Sequence, residues 1–351
     1  MERVLRVLSS LPRLKNKAMY RWPFISVVLI IAILLVLAFV LNLSIGEVWL
    51  NPFQLFFSEN LQSAILISEF RLPRAIAAVL VGSALSLSGL MMQTLFRNPI
   101  AGPYVLGISS GSVLGVSLVI LGGSIFSAEF LSSNSAIIIA ALVGGLAMMF
   151  ILLMVLKIIK DIMTLLIVGM MFGAFATSVS SILQYFSPGF QVKAFVLWTF
   201  GSLSKVDYPQ IYWMISFIVL ALFFVVLSLK GLNLLTLGTS QLEQFGIKTK
   251  RLHFIILLAT ALLTSSVTAF CGPIGFIGVI VPHISKKILK TSNHWRLMPV
   301  SMMIGAFIML VSEMLTHLPG SGMVLPINSV TAFIGIPFIL WILFKPLKNE
   351  I

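Results

Sequence analysis

The sequence predicts an all-α polytopic membrane protein of about ten transmembrane helices, with both termini in the cytoplasm. Three observations carry this. Of the 351 residues, 59% are apolar and only 9% are Asp, Glu, Lys or Arg, whereas a soluble domain is nearer ~25% charged. So few ionic groups do not cover a soluble surface of this size. Roughly 207 apolar residues, at roughly 20 per spanning helix, fill about ten spans and leave little else. The mean hydropathy of +1.11 agrees. This composition excludes a soluble enzyme, a nucleic-acid-binding domain, a disordered chain and an outer-membrane barrel, whose strands alternate polar and apolar. The net charge of +13 then reads as cytoplasmic loops rich in Lys and Arg. The bilayer, and no nucleic acid, is the expected surrounding.

The first span, 24–43, follows a basic start that includes Arg3, Arg6 and Arg13. A signal peptide has a shorter apolar core and a small-residue cleavage site. This run is long enough to cross and no Ala-x-Ala follows it, so it reads as a retained helix with its N-terminus inside. The second span, 74–96, opens after Glu69-Phe70-Arg71-Leu72-Pro73-Arg74 and carries Gly82, Ser86 and Gly89 on one face. The third, 105–122, carries Gly107, Gly111 and Gly115 at four-residue spacing, a doubled small-xxx-small pattern for close helix packing. Spans at 135–157, 162–185, 209–229 and 252–270 follow as plain apolar runs. The eighth, 274–290, opens with Gly272-Pro273-Ile274-Gly275-Phe276-Ile277-Gly278 and contains Pro282. Glycine and proline at membrane depth predict a broken or re-entrant element packed inside protein. The ninth and tenth lie at 297–316 and 327–346. The domain plan is a basic segment at 1–23, a transmembrane domain at 24–346 and a tail at 347–351.

With the N-terminus inside, 19 of the 23 Lys and Arg fall on the cytoplasmic side and 4 outside, as the positive-inside rule requires. The outside four are Arg71, Arg74, Lys193 and Lys205. Arg71 and Arg74 sit together at the mouth of the second span. They read either as a snorkelling pair at a helix end or as a positive patch for an acidic partner. The largest internal loop, 230–251, allows a short helix capped by Thr239 or Ser240 and ended by Gly246. Leu242 and Phe245 are expected on one face of it. Such a helix either docks in a groove of a soluble partner or lies on lipid.

Intramembrane chemistry is sparse. No acidic residue lies near the middle of a predicted span, and Glu313 lies near the outer end of the ninth. His253, His283, His294 and His317 show no metal-ligand spacing. No phosphate-binding loop is present, and the one cysteine, Cys271, reads as a packing residue. No catalytic, cofactor-binding or metal-binding residues are assigned, and no cofactor is expected. Work against a gradient would need energy from another subunit.

Several motifs in order now point to a family. Arg71-Leu72-Pro73-Arg74 through Gly82, Ser88-Gly89, Gln93 and Arg97-Asn98-Pro99-Ile100-Ala101-Gly102-Pro103, then Leu106-Gly107, resemble the permease subunits of iron–siderophore, haem and cobalamin ABC importers, the FecCD-like family. Leu232-Asn233-Leu234-Leu235-Thr236-Leu237-Gly238 with Gly246 resembles its coupling segment. Gly272 to Gly278 with Val281-Pro282-His283, then His294-Trp295-Arg296, Leu325-Pro326 and Gly335 with Pro337-Phe338, resemble its later signatures. The resemblance covers roughly 60 to the C-terminus.

The resemblance implies a ten-helix subunit of a prokaryotic cytoplasmic (inner) membrane. It implies a second permease subunit, expected as a homodimer rather than a heterodimer, two ABC ATPase subunits and an external substrate-binding protein. Arg71 and Arg74, with His317 at the position of a third basic residue, would meet acidic groups of that binding protein. Leu237, Gly238, Thr239, Ser240, Leu242, Glu243, Phe245 and Gly246 would form the ATPase-coupling segment. Thr239 and Ser240 replace the two acidic residues usual there. Val324-Leu325-Pro326-Ile327-Asn328 replaces Glu-Leu-Pro-x-Gly, and Asn328 is expected to keep the turn because it tolerates positive φ. The implied function is translocation of an iron chelate driven by the partner ATPase, so the chain itself is no enzyme. The rivals are an ion-driven secondary transporter, which needs an ionisable midplane site, and a non-transporting scaffold or receptor subunit.

Overall fold

The computed structural model describes residues 23–46, 49–51, 61–122, 133–159, 161–317 and 324–344. The basic segment before Pro23, the end of the tenth predicted span and the C-terminal tail lie outside the described residues. The described chain is helical almost throughout. Its helices are α1 (Phe24–Ser44), α2 (Leu61–Ile65), α3 (Leu72–Phe96), α4 (Ile108–Ile120), α5 (Asn134–Ile158), α6 (Ile162–Phe186) and α7 (Gly189–Thr199). They continue as α8 (Tyr208–Leu235), α9 (Thr239–Gln244), α10 (Thr249–Cys271), α11 (Ile277–Leu289), α12 (His294–Thr316) and α13 (Ile327–Phe344). A single π turn, Leu66–Arg71, joins α2 to α3.

Burial runs opposite to apolarity. α1 is the most apolar helix, yet only 17% of its central window is buried, against 83% for α3 and for α10. Lipid is as apolar as leucine, so an outward Leu or Ile face costs nothing, and the inner positions go to small and hydroxylated residues that let backbones approach. α10 accordingly buries Thr260, Thr264, Ser265, Ser266 and Thr268. α3 is the hub, packing most extensively on α12 and also on α11 and α10, while α4 pairs with α5 and α8 with α10.

Glycines set the closest approaches. A Cβ at Gly82 would strike the Gly305 carbonyl of α12, and one at Gly89 would strike Gly278 of α11. Gly111 meets Gly144, Gly115 meets Ala140, and Gly107 lies against Gly169. Each of the five glycines singled out in the sequence thus sits where a second backbone passes.

Helix starts follow capping chemistry. Ser133 Oγ accepts from Ala136 N at 3.2 Å, Asp161 Oδ2 from Thr164 N at 2.9 Å, and Asp207 Oδ1 from Gln210 N at 2.9 Å. Each satisfies one of the orphan donors of a first turn. The Thr164 hydroxyl, donating to Asp161 Oδ2 at 2.8 Å, and the Thr164 N–H together hold the exposed Asp161 carboxyl below its usual range.

Among the described residues, seven helices are long and apolar enough to cross a membrane, and α4 and α13 are shorter apolar helices. Every predicted span has a helix within it, but several details differ. The second begins earlier than predicted, because residues 61–71 already wind helically and Arg71 lies in the π turn. α7 is absent from the prediction. The eighth starts late: Gly272 (φ 77°) and Phe276 (φ 68°) break the chain before α11. A positive φ at an aromatic residue costs ~1–3 kcal/mol, and Phe276 is held against the bare backbone of Gly335. Asn328 does not adopt the predicted positive φ. It lies in the first turn of α13, and its Oδ1 accepts from Gly275 N at 3.1 Å. The residue that replaces glycine therefore ties α13 to the broken segment.

Candidate functional site

At the predicted outer mouth, α3 and α12 bring four charged or titratable side chains together. Glu313, 2% exposed, is the centre. Its Oε1 lies 2.7 Å from Arg74 Nε and 3.0 Å from His317 Nε2. Its Oε2 accepts from Asn42 Nδ2 of α1, which also donates to Leu310 O at 3.3 Å. His317 Nε2 is also 2.7 Å from Arg74 Nη1. That nitrogen lies between a donor and an acceptor and serves one at a time.

Arg71 turns inward. It is 8% exposed, and its Nη1 donates to Leu43 O at 2.9 Å and Ser44 O at 2.7 Å. These are orphan carbonyls of the last turn of α1, so Arg71 fastens α1 to the mouth. Arg71 and Arg74 bring two guanidinium groups to the mouth beside Glu313. The structure thus groups Arg71, Arg74 and His317 as the sequence placed them, but none of the three lies fully exposed. Glu313 and Asn42 complete the cluster. The signals that could have found them are the i, i+4 spacing of Glu313 and His317 and a polar Asn at the end of an otherwise apolar span.

Two cavities lie beside this mouth. One of about 150 Å³ is bounded by Gly201, Ser202, Glu313, Thr316 and Leu325. Another of about 270 Å³ reaches Asn134, Trp198, Lys205 and Gln210. Both fall below the ~300 Å³ at which pockets for small molecules begin.

At the other end of α8 the chain turns at Leu237 and Gly238 (φ 138°) into α9. Neither Thr239 nor Ser240 caps it: the N-cap is Gly238, and both follow it inside the helix. Gly246, at φ 73°, ends the turn as predicted, donating to Glu243 O at 3.0 Å. Leu242 and Phe245 do not share a face. Leu242 is fully buried within the chain, while Phe245 is 68% and Leu237 66% exposed. Thr239 and Glu243 are exposed beside them. Leu242 anchors the segment, and Leu237 and Phe245 are the apolar groups it offers outward.

A helical bundle built inside out, with a charged mouth at one end and a short presented helix at the other, defines a class of membrane transport protein. The FecCD transport family matches residues 34–345, and the chain belongs to that family. It is a multi-pass inner-membrane protein and a permease subunit of an ABC importer. Among its relatives, the vitamin B12 import system permease protein BtuC of Klebsiella pneumoniae is 33% identical over 96% of this chain and 97% of its own. BtuC of Citrobacter koseri is 32% identical over 90% and 93%. A chain of an inward-facing metal-chelate-type ABC transporter, 27% identical, superposes with a TM-score of 0.81 over 91% of this chain and 99% of that one.

Proposed function

We propose that this permease carries a bulky metal chelate into the cell, and we assign a ferric siderophore as the cargo. Cobalamin is the second reading, favoured by the 33% identity to a vitamin B12 permease; haem belongs to the same chemical class. In this reading ten helices cross the membrane, both termini are cytoplasmic, and two copies pair with two ATPase subunits. An external binding protein delivers the cargo.

The observation that carries the reading is the basic cluster of the outer mouth, where Arg71, Arg74 and His317 gather beside Glu313. Clustered basic side chains at a low-dielectric rim attract an acidic partner surface and orient it. On the cytoplasmic side, Leu237 and Phe245 project from a polar segment, which suits an apolar cleft in an ATPase. In this reading a bulky chelate passes between two copies. The chain performs no covalent chemistry. It supplies two states, and the ATPase and the binding protein shift their balance.

The test is reconstitution in proteoliposomes with an ABC ATPase and a substrate-binding protein from the same organism. ATP hydrolysis is measured with ferric siderophores, haem and cobalamin. The reading expects hydrolysis and uptake to rise only with the binding protein and its ligand. Uptake driven by an ion gradient without ATP, or hydrolysis indifferent to the binding protein, overturns it. Stimulation by cobalamin and by no iron chelate selects the second reading.

A further inference from the structure

We propose that α3 and α12 move as one rigid unit linking the outer mouth to α9, and that Asn233, His294 and Thr94 form the joint fastening α9 to that unit. The inference rests on the permease reading above.

The two helices are tied at both ends and in the middle. Outside, Arg74 of α3 meets Glu313 of α12 at 2.7 Å. In the middle, Gly82 and Gly305 bring the backbones into contact, and Ser83 Oγ donates to Met302 O at 3.2 Å. At the inner end, Thr94 Oγ1 lies 2.8 Å from His294 Nε2. Arg74 and Thr94 are twenty residues apart on one helix, about 30 Å at ~1.5 Å per residue. Ties at three levels leave the pair little freedom to slide.

The joint lies at the inner end. Asn233, in the last turns of α8, uses one oxygen twice: Oδ1 accepts from His294 N at 2.7 Å and from Nδ1 at 2.8 Å. That fixes the proton on Nδ1. With the ring neutral, Nε2 is then an acceptor for the single Thr94 hydroxyl proton, which it shares with the Leu90 carbonyl at 2.9 Å. Thr94 and His294 are 6% and 1% exposed, so no bulk water replaces a broken bond. Arg97, just past the end of α3, adds a second tie by donating to Leu235 O at 3.0 Å. The end of α8 is thus held by α12 through His294 and by α3 through Arg97. Three residues beyond Leu235, Gly238 turns the chain into α9. A displacement of α9 pulls on α3 and α12 together, and these carry Arg71, Arg74, Glu313 and His317 at their far ends. Directional bonds between buried polar groups are made or lost as a set, which suits a connection between two discrete states.

The experiment measures, in the full complex, the ratio of ATP hydrolysis with and without binding protein. Thr94→Val keeps the side-chain shape and removes the hydroxyl. The expected result is an unchanged basal rate and a ratio reduced about fivefold, the low end of ordinary coupling between sites. Thr94→Ser restores the hydroxyl and is expected to restore the ratio, which a packing role for the threonine would not predict. Arg97→Gln, at an exposed position, is expected to lower the ratio likewise and decides the matter if Thr94→Val does not assemble. A wild-type ratio in whichever of these two variants assembles overturns the joint while leaving the permease reading intact. A wild-type complex that the binding protein does not stimulate overturns both.

Discussion

Glu313 carries three partners on one carboxylate, from α1, α3 and the end of its own α12, and its burial makes that arrangement costly to disturb. Its side chain is 3% exposed and that of Arg74 11%. Deleting one member of a buried ion pair strands the other, typically at ~3–5 kcal/mol. Asn42 and His317 would still reach Glu313, so Arg74→Met is expected to cost about 3 kcal/mol, the lower end. Adding Glu313→Gln should recover part of that loss, because the stranded charge goes with it. Thermal unfolding of the four proteins of this cycle in one detergent checks both statements. Equal melting of Arg74→Met and wild type would show a pair of no structural weight. At this scale the sequence is uneven. Arg71 and Arg74 stand out because they defy the charge bias of the loops. Glu313 and Asn42 do not, because what unites them is the crossing of α1, α3 and α12, which no local pattern encodes.

Among the elements, α9 separates what spacing reveals from what packing decides. An i, i+3 pair shares a helix face, yet six residues make less than two turns. The segment is therefore positioned by what it leans on. Leu242 enters the chain's own core and Phe245 faces outward. The two substitutions should then fail differently. Leu242→Asp buries a carboxylate without a partner, so it is expected to reduce the yield of folded protein. Phe245→Asp is a surface change worth within ~0.5 kcal/mol, and should leave melting unchanged while separating ATP hydrolysis from uptake. Identical behaviour of the two, in melting and in coupling, would refute the division. The longer elements were legible throughout, since a 20-residue apolar run has one solution in lipid. The start of α11 was legible as a break, from its glycines and Pro273, but its form was not. Phe276 takes the strained φ, and Asn328 supplies a hydrogen bond where a permissive turn was expected.

For the whole molecule, orientation is the property on which both faces depend, and it rests on charge. Nineteen of 23 basic residues fall on one side of the predicted spans, and each Lys or Arg near a helix end favours the cytoplasm. The fold sharpens the test of that assignment. Lys193, on α7, and Lys248, between α9 and α10, are both exposed, and the bundle assigns them to opposite faces. The one native cysteine, Cys271, is 2% exposed. A membrane-impermeant maleimide should find no background reaction on intact cells. Lys193→Cys should label from outside without permeabilisation. Lys248→Cys should label only after the membrane is opened. The reverse pattern would invert the protein, placing the Arg74–Glu313 mouth in the cytoplasm and Phe245 outside, where no ATPase could reach it.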